Sequence, residues 1–174
     1  MWLPFGLVLM ITGALSSTPS KFTGLECQIL DPDYFTYSQC KLKVLGRGII
    51  GLNVHARMYQ GPLKNAKVNL SLFRKFSGYR PFMFNTTFDF CKLMATSNQK
   101  LSFKKIIFDV LSKNSNMNHS CPYDHDFIVR DLVFKPEYFE FLPLPTGEYR
   151  LQIMAATNNQ WKTSIKVNIL IIED

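Results

Sequence analysis

The sequence is poor in the residues and motifs on which most enzymes depend. Its 174 residues include three histidines and four cysteines, with no CxxC, HExxH or GxSxG motif and no glycine-rich phosphate loop. Without closely spaced cysteine pairs, neither a zinc-ribbon site nor thioredoxin-like redox chemistry has support. We therefore expect a protein that is not an enzyme and that has no cofactor and no metal.

Long apolar runs are also missing, apart from one at the N-terminus. Trp2 to Leu15 carries no charged side chain and precedes small polar residues, which is the pattern of a secretory signal peptide. The small side chains of Ala14 and Ser16 place cleavage near Ser16. A membrane anchor is the alternative, but this run is shorter than the roughly 20 apolar residues that span a bilayer. We predict a signal peptide over 1–16, an extracellular protein, and a single domain over 22–172.

All four cysteines lie beyond this segment. An even number of cysteines in an oxidising compartment indicates two disulfides, although four cysteines permit three connectivities. We predict that neighbours in the sequence pair, Cys27 with Cys40 and Cys91 with Cys121.

Three N-x-S/T sequons become meaningful in a secreted chain. They begin at Asn69, Asn85 and Asn118. Each predicts a glycosylation site at an exposed position.

Alternation of apolar and polar residues is the dominant pattern. From Ile50 to Met58 the even positions are apolar, and the odd positions are polar or glycine, which is typical of a half-buried strand. Asn69 falls on the polar face of the next such segment. Asn158 and Asn159 indicate the turn of a C-terminal hairpin. The predicted strands cover residues 22–30, 34–45, 50–58, 66–73, a Phe-rich segment after Gly78, 149–155 and 161–171.

One segment has helical spacing instead. Apolar residues from Phe103 to Leu111 recur at i, i+3, i+4, i+7 and i+8. Ser102 is suited to cap this helix and Asn114 to end it. We predict a mostly β chain of about seven strands with one short helix near residues 102–113, and such a set of strands favours a β-sandwich.

Charge is distributed unevenly. The formal net charge is +7, and the segment from Tyr34 to Phe108 holds 13 basic residues against one acid, Asp89. One interpretation is a basic surface over residues 34–108 that attracts a receptor or an anionic membrane surface. The other is a set of solvated strand faces. The export signal argues against a nucleic-acid partner, and the pattern does not indicate an oligomeric state.

The densest polar cluster runs from His119 to Asp126. It contains metal-ligand residue types and a Cys-His pair. However, the predicted disulfide occupies Cys121, His119 lies in a sequon, and the spacing of His119 and His125 matches no standard metal motif. We interpret the cluster as an exposed turn.

Several stretches resemble a known family. They are SGYRPFMFNTTFDFC (Ser77 to Cys91), NMNHSCPYD (Asn116 to Asp124) and LPTGEYRL (Leu144 to Leu151), together with the early Cys27 and Cys40. These stretches resemble an insect-restricted family of secreted proteins of unknown function, which is similar to the ML lipid-recognition domains and related to the fly chemosensory B proteins.

The resemblance implies an immunoglobulin-like, ML-like sandwich whose sheets admit a lipid, without catalysis and without a metal. Many ML lipid carriers tie their terminal strands with a further disulfide, which this chain lacks, and no ligand contact transfers by motif. The expected function is non-enzymatic binding of a hydrophobic small molecule, such as a lipid, a sterol or a pheromone-like hydrocarbon, with a chemosensory role. The alternative is an extracellular protein–protein interaction module with a filled core and a basic surface.

A pocket and a packed core use the same apolar side chains, so the residues alone do not separate these two functions. With the resemblance, the inward phases of the strands predict an elongated apolar pocket of about 300 Å³ or more. Its predicted wall consists of Ile50, Leu52, Val54, Leu70, Leu72, Phe82, Phe84, Tyr149, Leu151, Ile153, Ile165 and Val167.

Overall fold

A computed structural model of the chain describes residues 20–96, 102–140, 142 and 144–172. The predicted signal peptide, residues 1–16, lies outside these residues. Among the described residues, no helix is both long enough and apolar enough to cross a membrane. The strands are β1 (Lys21–Ile29), β2 (Phe35–Gly46), β3 (Ile49–Met58), β4 (Lys67–Lys75), β5 (Tyr79–Asp89), β6 (Phe127–Val133), β7 (Gly147–Thr157) and β8 (Gln160–Ile171). The helices are α1 (Phe90–Ala95), α2 (Phe103–Lys113) and a 3-10 helix (Pro136–Phe139).

The strands form two antiparallel sheets, as the alternation predicts. The large sheet has the order β1-β8-β7-β4-β5, and the small sheet has the order β2-β3-β6. The protein is therefore a mostly β sandwich with sheets of unequal width. The last hairpin turns at Asn158 and Asn159, whose φ angles of 51° and 59° suit the two-residue turns that match strand twist.

Strand β6 was not predicted, so the estimate of seven strands is one too low. A bulge interrupts its alternation: Val129 pairs with Val54, but Leu132 pairs with Leu52. Within the bulge Asp131 has a φ of 45°. Asn53 holds Asp131 in this conformation through two hydrogen bonds. Asn53 Nδ2 donates to Asp131 Oδ1 at 3.0 Å, and Asn53 Oδ1 accepts from the Asp131 amide at 3.1 Å. This pairing also explains why Asn53, which lies on the predicted polar face of β3, is buried.

Helix α2 is found at the predicted place. The Ser102 side chain accepts a hydrogen bond from the Lys105 amide at 3.4 Å, and the helix ends at Asn114. The helix packs on the large sheet through aromatic pairs. Phe103 stacks on Phe84 with ring centroids 4.1 Å apart, and Phe108 packs edge-to-face against Phe88 at 5.9 Å. Helix α1, with six residues, is too short to show a period in the sequence.

Both predicted disulfides are confirmed. The Cα atoms are 6.3 Å apart in Cys27–Cys40 and 5.4 Å apart in Cys91–Cys121. Cys27 lies on β1 and Cys40 on β2, which are edge strands of different sheets. This disulfide therefore ties the two sheets together along one side of the sandwich.

Candidate functional site

An apolar cavity of about 210 Å³ lies between the sheets. Both sheets contribute to its wall, for example through Val54 on β3 and Val167 on β8. Helix α2 completes the wall, because the small sheet has too few strands to cover the large one. The lining residues of this helix are Ile106, Ile107, Phe108, Val110 and Leu111.

The cavity is long. Alternate residues of β8 from Thr163 to Ile169 all line it, which corresponds to roughly 20 Å at about 3.3 Å per residue. Phe22 and Phe134 lie at the Ile169 end and form an edge-to-face pair with centroids 5.8 Å apart. The volume of about 210 Å³ is smaller than the predicted volume of about 300 Å³ or more.

The other end of the cavity carries most of its polar groups. Tyr37, Thr157, Lys162 and Thr163 lie there, close to the turn between β7 and β8. The Tyr37 hydroxyl bonds to Thr163 Oγ1, which donates to the Gln28 carbonyl at 2.9 Å. Burial raises the pKa of the Tyr37 phenol.

Among the residues that the structure describes, the only charged group that lines the cavity is paired. Lys162 Nζ lies 2.6 Å from Asp31 Oδ2 and 3.0 Å from Gln160 Oε1. The hydrogen bond from Lys162 lowers the pKa of the Asp31 carboxyl. The positive charge at this end of the cavity is therefore neutralised by a carboxylate.

The structure places six of the twelve predicted wall residues on the cavity and the other six in the packed core. Ile50 packs in the core around Phe22 and Val54 without lining the cavity. The β4 and β5 residues pack together with Tyr149 in the larger core cluster, where Leu70 is fully buried. Their positions lie toward α2 and the second edge of the large sheet. Six of the twelve line the cavity: Leu52, Val54, Leu151, Ile153, Ile165 and Val167. The five in the larger cluster are Leu70, Leu72, Phe82, Phe84 and Tyr149.

Other lining residues were missed. The apolar face of α2 carried a signal, because its spacing predicted a buried face, but nothing in the sequence placed that face against a cavity. Thr163 has the same phase as Ile165 and Val167, yet its polar side chain gave no reason to place it in an apolar wall. Residues of β6 were missed together with the strand.

The cluster from His119 to Asp126 forms a hydrogen-bonded turn. Asn116 Nδ2 lies 3.1 Å from His125 Nδ1, His125 Nε2 lies 2.9 Å from His119 Nε2, and His119 Nδ1 lies 2.7 Å from the Ser120 carbonyl. Both nitrogens of each of these two imidazoles have partners. Within the described ranges, no group of three or more metal-ligand side chains comes together.

The three sequons lie on accessible surface. Asn85 and Asn118 are exposed, and Asn69 is half-buried on the neighbouring strand of Asn85. Asn69 Nδ2 donates to Asn85 Oδ1 at 2.8 Å and to Thr87 Oγ1 at 3.0 Å. Two sequons therefore share one patch on the outer face of the large sheet.

One protein-family model matches the middle of the chain. Residues 68–151 match the model of a family described as "Protein of unknown function (DUF1091)". The match runs from β4 into β7, and it contains the Cys91–Cys121 disulfide and helix α2. The three stretches that carried the resemblance lie inside it. No curated protein matches the chain.

Proposed function

We propose that this protein is secreted and binds a hydrophobic small molecule, of lipid, sterol or pheromone-like character, without transforming it. The cavity between the sheets is the observation that carries the proposal. Protein interiors are normally packed as densely as organic crystals, and an empty volume of this size costs on the order of 5 kcal/mol. A fold keeps such a void where a bound ligand restores the lost contacts.

The volume of the cavity is also large enough to hold an apolar ligand. An apolar cavity of about 150 Å³ stays dry and binds benzene, so 210 Å³ is ample for an apolar guest. The wall offers apolar contacts almost throughout. Convergent catalytic groups, such as a nucleophile beside a base, are not among its lining residues.

Secretion is supported by independent features of the chain. The apolar segment over 2–15 has the pattern of an export signal. All four cysteines are disulfide-bonded, and disulfides persist mainly in oxidising compartments. Three accessible sequons fit the same compartment.

Filling the cavity tests the proposal. Ala56 and Ala155 line it from opposite sheets, and leucine at either position adds apolar volume inside the void. We expect Ala56→Leu and Ala155→Leu each to lower the affinity for a fluorescent apolar probe at least tenfold. The melting temperature of the ligand-free protein should stay the same or rise, because filled voids regain packing contacts. Native mass spectrometry after organic extraction would identify co-purified ligand.

Ala95→Leu is the matched control. Ala95 is exposed at the end of α1 and does not line the cavity, so this change should leave probe binding intact. If the two cavity variants bind the probe as the wild type does, or if the extracted wild-type protein takes up no apolar molecule, the proposal is wrong.

A second candidate function rests on the tip of the β2–β3 hairpin. Val44 is 73% exposed, and Leu45 and Ile49 beside it are 40% and 45% exposed. Lys43 and Arg47 flank them, and no ion pair in the described part of the chain involves either. Exposed aliphatic side chains flanked by cationic side chains are suited to contact an anionic membrane surface.

Vesicle sedimentation tests this candidate. The protein should bind vesicles that contain anionic lipid and lose that binding in high salt or on Val44→Asp, because both changes remove attraction to the surface. Phe76→Asp alters another exposed apolar residue, on the β4–β5 turn, and should leave binding unchanged. Equal binding to neutral vesicles, or no effect of Val44→Asp, would rule out the tip as an anionic-membrane contact.

A further inference from the structure

We infer that the cavity selects an uncharged molecule whose polar end, where it has one, is a hydroxyl group. This inference rests on the proposed function and narrows the class of its ligand. Two observations carry it: the hydrogen-bonding groups at the polar end of the cavity and the pairing of the one charge there.

The hydroxyl groups at the polar end have no free protons. Thr163 Oγ1 has one hydrogen, which it donates to the Gln28 carbonyl at 2.9 Å. The Tyr37 hydroxyl must therefore be the donor in its bond to Thr163. Thr157 Oγ1 donates toward Asn65, whose carbonyl oxygen and side-chain oxygen lie 2.9 Å and 3.1 Å away.

These oxygens retain lone pairs, so this end of the cavity accepts hydrogen bonds and does not donate them. A ligand hydroxyl has a proton to give and finds acceptors there. A carboxylate, an ester or a ketone has only acceptors and would be desolvated without compensation. The remaining lining hydroxyl, that of Tyr138, lies near the opposite end. It bonds to none of the described residues, so its proton is available at that end and not at the polar end.

The positive charge at the polar end of the cavity does not favour an anionic ligand, because it is already paired. Lys162 is buried, with its Nζ bonded to Asp31 and Gln160 and lying over the Tyr34 ring, 5.2 Å from the ring centroid. Two of its three protons go to these oxygens, and the aromatic ring is a third partner for the ammonium. A ligand carboxylate would have to compete with Asp31 for this charge. A neutral ligand leaves the pair intact.

Competition against a bound probe tests the inference. The full-length secreted protein is loaded with N-phenyl-1-naphthylamine and titrated at pH 8 with the saturated C16 alcohol, its carboxylic acid and its methyl ester. We expect the alcohol to displace the probe with an affinity at least tenfold higher than that of the carboxylate, and higher than that of the ester.

Thr163→Val should create a hydrogen-bond donor at the polar end of the cavity. This change removes the acceptor of the Tyr37 hydroxyl, whose proton is then available inside the cavity. Affinity for the methyl ester should rise relative to the alcohol by threefold or more, whereas Tyr37→Phe in the same background should remove that gain. Circular dichroism and thermal unfolding would establish that each variant is folded.

The outcomes distinguish the two proposals. If the carboxylate binds as tightly as the alcohol, or if Thr163→Val leaves the preference unchanged in a folded protein, the inference is overturned and the cavity remains a ligand site. If the wild type binds neither the probe nor any chain, the proposed function fails as well.

Discussion

Asp126 joins two strands of the small sheet through both of its carboxylate oxygens. Its Oδ2 lies 2.8 Å from His55 Nε2, and its Oδ1 accepts a hydrogen bond from the Met58 amide at 3.1 Å. The hydrogen bond from His55, together with that from Met58, lowers the pKa of the Asp126 carboxyl below its ordinary value of 3.8. The ionised form is thus favoured in the folded protein.

This shift predicts the pH dependence of an Asp126→Asn variant. The folded pKa lies below the unfolded one, so the carboxylate stabilises the fold above about pH 4, and this contribution disappears as pH falls through the folded pKa. The side chain is 37% exposed, so solvent screening limits the effect at pH 7 to about 1 kcal/mol. Urea unfolding at pH 7 and pH 2.5 should show the variant less stable at pH 7, and the difference should shrink at pH 2.5.

Asp124→Asn is the control for that measurement. Asp124 is exposed, and no ion pair in the described residues involves it. Its replacement should change stability little at either pH. A difference between wild type and Asp126→Asn that grows toward pH 2.5 would contradict the assigned direction.

Among the secondary-structure elements, α2 is attached to the large sheet mainly by aromatic contacts. Phe103 stacks on Phe84 but does not line the cavity, whereas Ile107 and Leu111 on the same helix do. The helix therefore has one set of side chains that holds it in place and another that contacts the void.

Phe103→Ala should loosen this attachment without removing a ligand contact. We expect the rates of probe association and dissociation in stopped-flow fluorescence both to rise severalfold. The equilibrium dissociation constant should change by less than about threefold. Lys113→Ala, an exposed change at the other end of α2, should leave both rates as they are. A loss of affinity with unchanged rates would show that α2 does not control ligand exchange.

The elements that the sequence predicts are those with an unbroken period. The strand over 50–58 and the hairpin around Asn158 and Asn159 were correct, because alternation follows the pleat of a strand, although Asn53 on the predicted polar face of β3 is buried. Strand β6 was missed because the extra residue at Asp131 reverses its alternation. That bulge depends on Asn53, a contact between residues 78 positions apart, which no local pattern contains.

For the whole molecule, the sequence predicted the two layers and the disulfide pairing, but the wall of the cavity only in part. Alternation predicts which face of a strand points inward, and it predicted an inward position in the cavity wall for both Leu70 and Val54. It does not tell how far along the sandwich each residue lies or what covers it. Leu70 became a fully buried core residue, whereas Val54 lines the void. The difference arises from the unequal width of the sheets, which is a tertiary property.

The two disulfides fasten the sandwich on both sides. Cys27–Cys40 joins the β1 and β2 edges, and Cys91–Cys121 joins α1, which follows edge strand β5, to the loop that precedes edge strand β6. Covalent bonds therefore limit how far the sheets can separate on either side, whereas α2 is held by side-chain packing alone. We expect a guest to enter and leave by displacement of this helix and not by opening of the sandwich.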